Sequence, residues 1–283
     1  MKNLVSTLMT LAFLLAATTV CAEKITPSKN YVTKKVNVGS FEGISTSSSV
    51  DVIYTQTSGG QSVEIYAPDN LIDYIYARVE DGILKVGFKS PRNNFSISGS
   101  HKKEVRVSAP AVKSLQASSS GDVIIKNGLK ADKLTLKASS SGDVVGGNIS
   151  CEDLSASASS SGDVILEKVT CTNLSATASS SGDVEIKSLT ATNVAAKSSS
   201  SGDVILKDGT CTNATYSASS SGDVEAKGLK AVNVVATASS SGDVSCYATG
   251  TLTARPSSSG EISYKGNPGT IDYQPKKGLR KLD

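Results

Sequence analysis

The string Ser-Gly-Asp-Val returns along the chain with its glycine at 121, 142, 162, 182, 202, 222 and 242, a step of 21 residues once and 20 thereafter. A weakened copy, Ser259-Gly260-Glu261-Ile262, follows 18 residues later. A single unit this short cannot bury an apolar side alone, so a fixed period implies units that stack on one another. Three serines precede most of the glycines, and that composition by itself would suit a low-complexity, disordered segment. The residues between the serines exclude it. Two places after each glycine stands Val123, Val144, Val164, Val184, Val204, Val224 or Val244. Two places further stand Ile125, Gly146, Leu166, Ile186, Leu206, Ala226 and Cys246, while the position between drifts from Ile165 to Glu185 to Ser245. Fixed, free and mostly apolar is the period-2 signature of a strand with one face buried.

Two more columns of the same kind follow in each repeat. One carries Ile149, Val169 and Leu189, then Cys151, Cys171, Ala191 and Cys211. The other carries Leu154, Leu174, Val194 and Val234, with Ala156, Ala176, Ala196 and Ala236 two places on. Each repeat thus predicts about three short strands joined by turns, each pairing with its copy in the next coil. The fold class is all-β: a single-stranded, right-handed parallel β-helix with about 20 residues per coil and a less regular β-rich N-terminal part. Rungs spaced by about 4.8 Å give the marked turns a span of roughly 34 Å. The glycine is expected to supply a corner with positive φ, and the adjacent Ser and Asp suit local side-chain bonds in a turn.

The domain plan has five parts. Residues 1–22 read as a secretory signal peptide, with Lys2, an apolar stretch from Leu8 to Val20, and a cleavage site at Val20-Cys21-Ala22. A lipoprotein signal acylated at Cys21 is the alternative, though Val20 fits a lipobox poorly. Residues 23–37 are an N-terminal linker. Residues 38–115 form irregular capping coils and hairpins: Ser47-Ser48-Ser49-Val50-Asp51-Val52 looks like a decayed turn, and Glu80-Asp81-Gly82 like a hairpin. Residues 116–265 are the regular coils, and 266–283 a basic C-terminal tail with the run Lys276-Lys277-Gly278-Leu279-Arg280-Lys281. The location expected is periplasm, outer-membrane surface or extracellular space, with no membrane span.

The Ser-Gly-Asp-Val coils, preceded by Phe41-Glu42-Gly43-Ile44-Ser45, resemble the bacterial auto-transporter adhesin head GIN domain family, common in Bacteroidetes. The resemblance covers about residues 38–265, and Ser45 stands where the family's Gly-Ile-Asn signature has Asn. It implies an exported β-helical protein and brings no functional residues with it. No C-terminal translocator barrel follows in this sequence, so a complete autotransporter is not expected.

Composition narrows the chemistry. Lys+Arg number 29 against Asp+Glu 26, a net charge of +3 that lacks the basic surplus nucleic acid binding needs. A single histidine, His101, leaves neither a His-centred metal site nor a Ser-His-Asp triad. Neither catalytic residues nor cofactors are predicted.

Four surface features remain as candidates. The column Asp143, Asp163, Asp183, Asp203 and Asp223 sets like charges one rung apart; local backbone N–H groups, Lys126, Lys187, Lys207 and Lys227, or bound Ca²⁺ could offset the repulsion. Structural turns are the preferred reading of that column and a cation ladder the alternative. Cys151 and Cys171 fall on adjacent rungs, as apolar filler or as a disulfide. Thr170, Thr172, Thr190, Thr192, Thr210 and Thr212 form a small grid like those of ice-binding solenoids, or simply follow strand preference. Tyr54, Tyr66, Tyr74 and Tyr76 suggest a platform for stacking on sugar rings, or cap packing. The function expected is adhesin-like, non-catalytic binding of an unidentified extracellular or envelope macromolecule, glycan or protein, through the solenoid surface. The alternatives are a structural envelope protein, a polysaccharide-active enzyme, and a cation- or ice-binding solenoid. Oligomeric state is not legible.

Overall fold

Inward and outward side chains alternate along each winding, and where two successive residues both face water the alternation changes phase and the chain bends. In the winding Val164–Ser180, Val164, Leu166, Val169, Cys171, Leu174, Ala176 and Ala178 are buried, while Glu167-Lys168 and Thr172-Asn173 are the exposed pairs. The computed structural model describes residues 23–89, 95–99, 101–274 and 277–283; the expected signal segment 1–22 lies outside them. The chain is a β-solenoid of about 8 turns with roughly 20 residues per turn, and 69% of the described residues lie in strands.

The expectation of three separate strands per coil gives way to one continuous strand. Val144–Ser160, Val164–Ser180 and Val184–Ser200 each run for 17 residues. Neighbouring rungs bend at the same residues, so the parallel ladder survives the bend. Register is strict from Val144 to Val204: Val144 pairs with Val164, Val164 with Val184, and Val184 with Val204; it shifts between Val224–Ala238 and Val244–Pro256. Buried apolar side chains from successive rungs therefore form vertical columns, which is the nearest-neighbour stacking that stabilises solenoids.

One rung departs from its neighbours in a compensated way. Tyr216 is fully buried in a column where the neighbouring rungs carry Ala156, Ala176, Ala196 and Ala236. On the same rung, Gly209 replaces the Leu189 and Leu229 of its neighbours, and Ala214 replaces Val194 and Val234. Gly209 and Ala214 are smaller than the residues in register with them and Tyr216 is larger, so side-chain volume lost at two positions of the rung is regained at a third. Its hydroxyl has no hydrogen-bond partner.

The windings do not follow chain order at the N-terminal end. Val105 pairs with Val52, and Val52 with Val123, so the winding around Ile83–Phe88 and Glu104–Ala109 lies outside the earlier winding Gly43–Thr46 and Asp51–Gln56. The decayed turn at residues 47–52 is a rung of this stack. Antiparallel strands cover the outer edges. Ser62–Pro68 lies on Glu104–Ala109, Tyr31–Lys35 lies on Ser62–Pro68, and Ile75–Glu80 lies on Ile83–Phe88. An uncovered parallel edge would recruit other strands. The Ile75–Glu80 hairpin turns at Asp81-Gly82 with φ of 50° and 73°, where glycine removes the Cβ penalty.

Two expected boundaries shift. Residues 23–37, read as a linker, hold the strands Glu23–Ile25 and Tyr31–Lys35, paired with Phe95–Ile97 and Ser62–Pro68. The stretch 266–283, read as a tail, holds Thr270–Tyr273 on the strand Val244–Pro256 and Leu279–Lys281 on Ile262–Lys265. Leu279 stands in register with Ile262 and is partly buried against the core, so an apolar anchor inside the basic run holds it to the stack. Lys276 lies outside the described residues.

Candidate functional site

At each Ser-Gly-Asp-Val corner the structure reassigns the roles of the residues. Positive φ belongs to the serine two places before the glycine: Ser140, Ser160 and Ser180 at 61°, Ser200 at 62°. The glycines at 142, 162, 182, 202, 222 and 242 are required for a different reason. A Cβ on Gly162 would stand 2.6 Å from both the Gly142 carbonyl oxygen and the Ser139 nitrogen. The rungs approach so closely here that no side chain fits, and this replaces the expected glycine corner.

The aspartates form a ladder through the backbone. The N–H groups of Asp143, Asp163, Asp183, Asp203, Asp223 and Asp243 each donate to Oδ1 of the aspartate one rung earlier, at 2.8–3.0 Å. The bonds are between rungs, where turn-local bonds were expected. The lysines also go elsewhere. Lys187 pairs with Glu167 and Lys207 with Glu185, both at 2.6 Å, and Lys227 lies 3.9 Å from Glu225. Burial raises the carboxyls of Asp51, Asp122 and Asp163 above the ordinary range, while the accepted backbone hydrogen bond pulls them the other way. Among the described residues, no three His, Cys, Asp or Glu side chains converge as a metal site.

The four tyrosines do not share a platform. Tyr54 is fully buried in the core, donates its hydroxyl to the Ala109 carbonyl at 3.2 Å, and has its pKa pushed by burial to about 12. Tyr66 stacks on Tyr31 with centroids 5.2 Å apart, and the Arg106 guanidinium lies 4.1 Å over its ring. Tyr76 sits beneath Arg78 at 4.5 Å on a different capping strand, and Tyr74 is half-buried. Alternation along the strand Asp51–Gln56 turns Tyr54 inward, a consequence legible in the sequence once the strand is placed.

Cys151 and Cys171 are register partners, and all four cysteines of the described residues are free thiols. Burial pushes Cys151 and Cys211 to about 11, and Cys171 and Cys246 to about 12. The threonine grid is exposed, with Thr170, Thr190 and Thr210 in register.

The most developed surface feature is one the sequence reading passed over. Asn173, Asn193, Asn213 and Asn233 recur at the strict period of 20, and each Nδ2 donates to the Oδ1 of the residue one rung earlier, beginning at Asp153, at 2.8–3.0 Å. Lys133 closes the row with Asp153 at 3.1 Å. The Asn173 and Lys133 hydrogen bonds hold the Asp153 carboxyl below the usual range. Beside this row runs a groove of about 570 Å³, bounded on the other side by Ser155, Ser175, Ala195 and Thr215. The signal was available: one Asn every 20 residues, two places after the Cys/Ala column.

A capped, parallel β-solenoid with repeated polar rows along its outer faces is the class of protein the fold defines. The chain belongs to the family described as "Putative auto-transporter adhesin, head GIN domain", whose model matches residues 40–208 and 204–268. It is similar in fold to a "putative adhesin" from Parabacteroides merdae, with TM-score 0.64 and 20% identity over 93% of this chain and 100% of that one. A "putative adhesin" from Parabacteroides distasonis gives TM-score 0.66 and 22% identity over 92% and 99% of the two chains. A "putative lipid binding protein" from the same organism gives TM-score 0.59 and 24% identity over 92% and 100%. No curated protein matches. No helix among the described residues is long and apolar enough to cross a membrane.

Proposed function

We propose that this protein is an exported, non-catalytic surface or cell-envelope protein that holds an extracellular macromolecule, glycan or protein, against the outer faces of its solenoid. The observation that carries this reading is the repetition of one polar side chain per rung, as in the asparagine row from Asn173 to Asn233. A row of identical groups offers many equal weak contacts to a long partner, and such contacts add through multivalency. Chemistry needs the opposite, a few unlike groups converging on one atom. Here the aspartate column engages its own backbone and the thiols are held protonated by burial. The adhesin family supports the same reading. The test is retention of the secreted form on arrays of glycans and matrix proteins, beside protease accessibility on intact cells. Specific, saturable retention and surface cleavage are expected. Turnover of a polysaccharide without retention overturns the reading.

A further inference from the structure

The groove beside the asparagine row differs from the rest of the solenoid surface in charge. The side chains that line it from Asn173 to Thr215 are all uncharged, whereas the next face carries the Glu167–Lys187 and Glu185–Lys207 pairs. The one ion pair at the groove, Lys133–Asp153, closes on itself at its N-terminal end. A neutral cleft among charged faces selects a neutral occupant, because a charged one would lose hydration there without a counter-charge.

The row also has a fixed polarity and pitch. Asn193 donates one Nδ2 hydrogen to Asn173 and accepts one from Asn213, both at 2.9 Å. A side-chain amide has two donor hydrogens and two acceptor lone pairs. Each interior amide therefore keeps one donor and one acceptor free, at one set per rung of about 4.8 Å. The opposite wall is low: Ser175, Ala195 and Thr215 are short and exposed, and the column continues to the exposed Val235. An extended peptide lying along the axis advances about 3.3 Å per residue, or about 6.6 Å between side chains on one side, and matches the rung at neither step. A straight chain of equatorially linked pyranoses advances about one rung per sugar. Its hydroxyls both donate and accept, and its C–H faces suit a wall of Ala and Val.

We infer that the groove beside Asn173, Asn193 and Asn213 is a binding site for a neutral, extended polysaccharide lying along the solenoid axis, one sugar to a rung. The inference rests on the reading of the protein as a binder of extracellular macromolecules and assigns that binding to one face. The test is calorimetry of the secreted form with cellohexaose, cellotriose and maltohexaose, the last a neutral glucan that coils. Ala195→Arg fills the groove from an exposed position, and Glu225→Arg is the control on another face. Saturable cellohexaose binding is expected, at least 10-fold tighter than cellotriose or maltohexaose, weakened at least 10-fold by Ala195→Arg and unchanged by Glu225→Arg. Should Ala195→Arg fail to fold, perturbation of the Asn193 and Asn213 side-chain amide signals by cellohexaose reads the same site. Absent binding, or binding that leaves those amides or the Ala195→Arg variant unaffected, overturns the groove assignment. Array partners retained equally by Ala195→Arg would remove the groove and leave the adhesin reading standing. An array that retains nothing would remove both.

Discussion

The backbone N–H of Asp183 donates to Oδ1 of Asp163 across one rung, at 2.9 Å. The same bond recurs down the stack, so each carboxylate both marks a corner and ties two windings together. It bears on seven like charges in file: one oxygen of each accepts a backbone N–H from the next rung, and burial raises the carboxyls of Asp122 and Asp163.

That bond sets an expectation for pH and substitution. Asp163 has a raised carboxyl, burial being the largest cause. A carboxyl raised in the folded state binds its proton more tightly there than in the unfolded chain. Its linkage favours folding below the ordinary value of 3.8 and is lost as pH rises through the folded value. Asp163→Asn keeps an acceptor for the Asp183 N–H and removes the charge, so it should leave stability at pH 7 unchanged or higher. Asp163→Ala orphans that N–H and should cost about 1–2 kcal/mol. Urea melts at pH 4 and 7 check both. Melting temperature should be the same in Ca²⁺ and in chelator, and a Ca²⁺-dependent rise would restore the cation ladder.

Gly162 and Ser160 separate close approach from backbone conformation. Gly162→Ala forces a Cβ to within 2.6 Å of backbone atoms of the preceding rung and should destabilise by about 1–3 kcal/mol. Ser160 sits at φ 61°. Ser160→Gly relieves about 1–2 kcal/mol of left-handed strain against about 0.5–1 kcal/mol of added chain entropy. It should be neutral or mildly stabilising. Thermal melts should show a clear loss for Gly162→Ala and none for Ser160→Gly.

Tyr216 tests the compensated rung. Tyr216→Phe removes a buried hydroxyl that has no partner and should hold or raise stability. Tyr216→Ala leaves a cavity in the core and should cost about 3–5 kcal/mol. Restoring the neighbours' residue with Ala214→Val should recover part of that loss in the Tyr216→Ala background. In the parent the same change should destabilise by crowding the ring. A double-mutant cycle measures the coupling.

The thiols should be slow. At pH 8, a group near 11 has roughly two orders of magnitude less thiolate than a free cysteine, and the thiolate is the nucleophile. Native protein should react sluggishly with iodoacetamide, first at the half-buried Cys151, and fully only after unfolding. Mass mapping of labelled peptides under native and denaturing conditions reads the order. Rapid native labelling of Cys246 would contradict its burial.

The regular coils were legible because their physics is local and repeated. A period of 20 with apolar residues two apart leaves one way to bury them, and Val144, Val164 and Val184 stack as that pattern requires. The asparagine row was equally present in the letters, but nothing short of neighbouring rungs in register turns an exposed Asn into a ladder.

What the amino-acid sequence determined alone is the rung: its length, its inward columns and its corner. Tertiary structure decided the rest. It placed Val52 between Val105 and Val123, because strands of similar β-branched composition are interchangeable until their outer edges must be covered. It moved the strained φ from glycine to serine, because the contact that excludes a side chain is made by the next winding. It put Tyr216 in an alanine column, because space is shared around a whole rung and no single strand reports it.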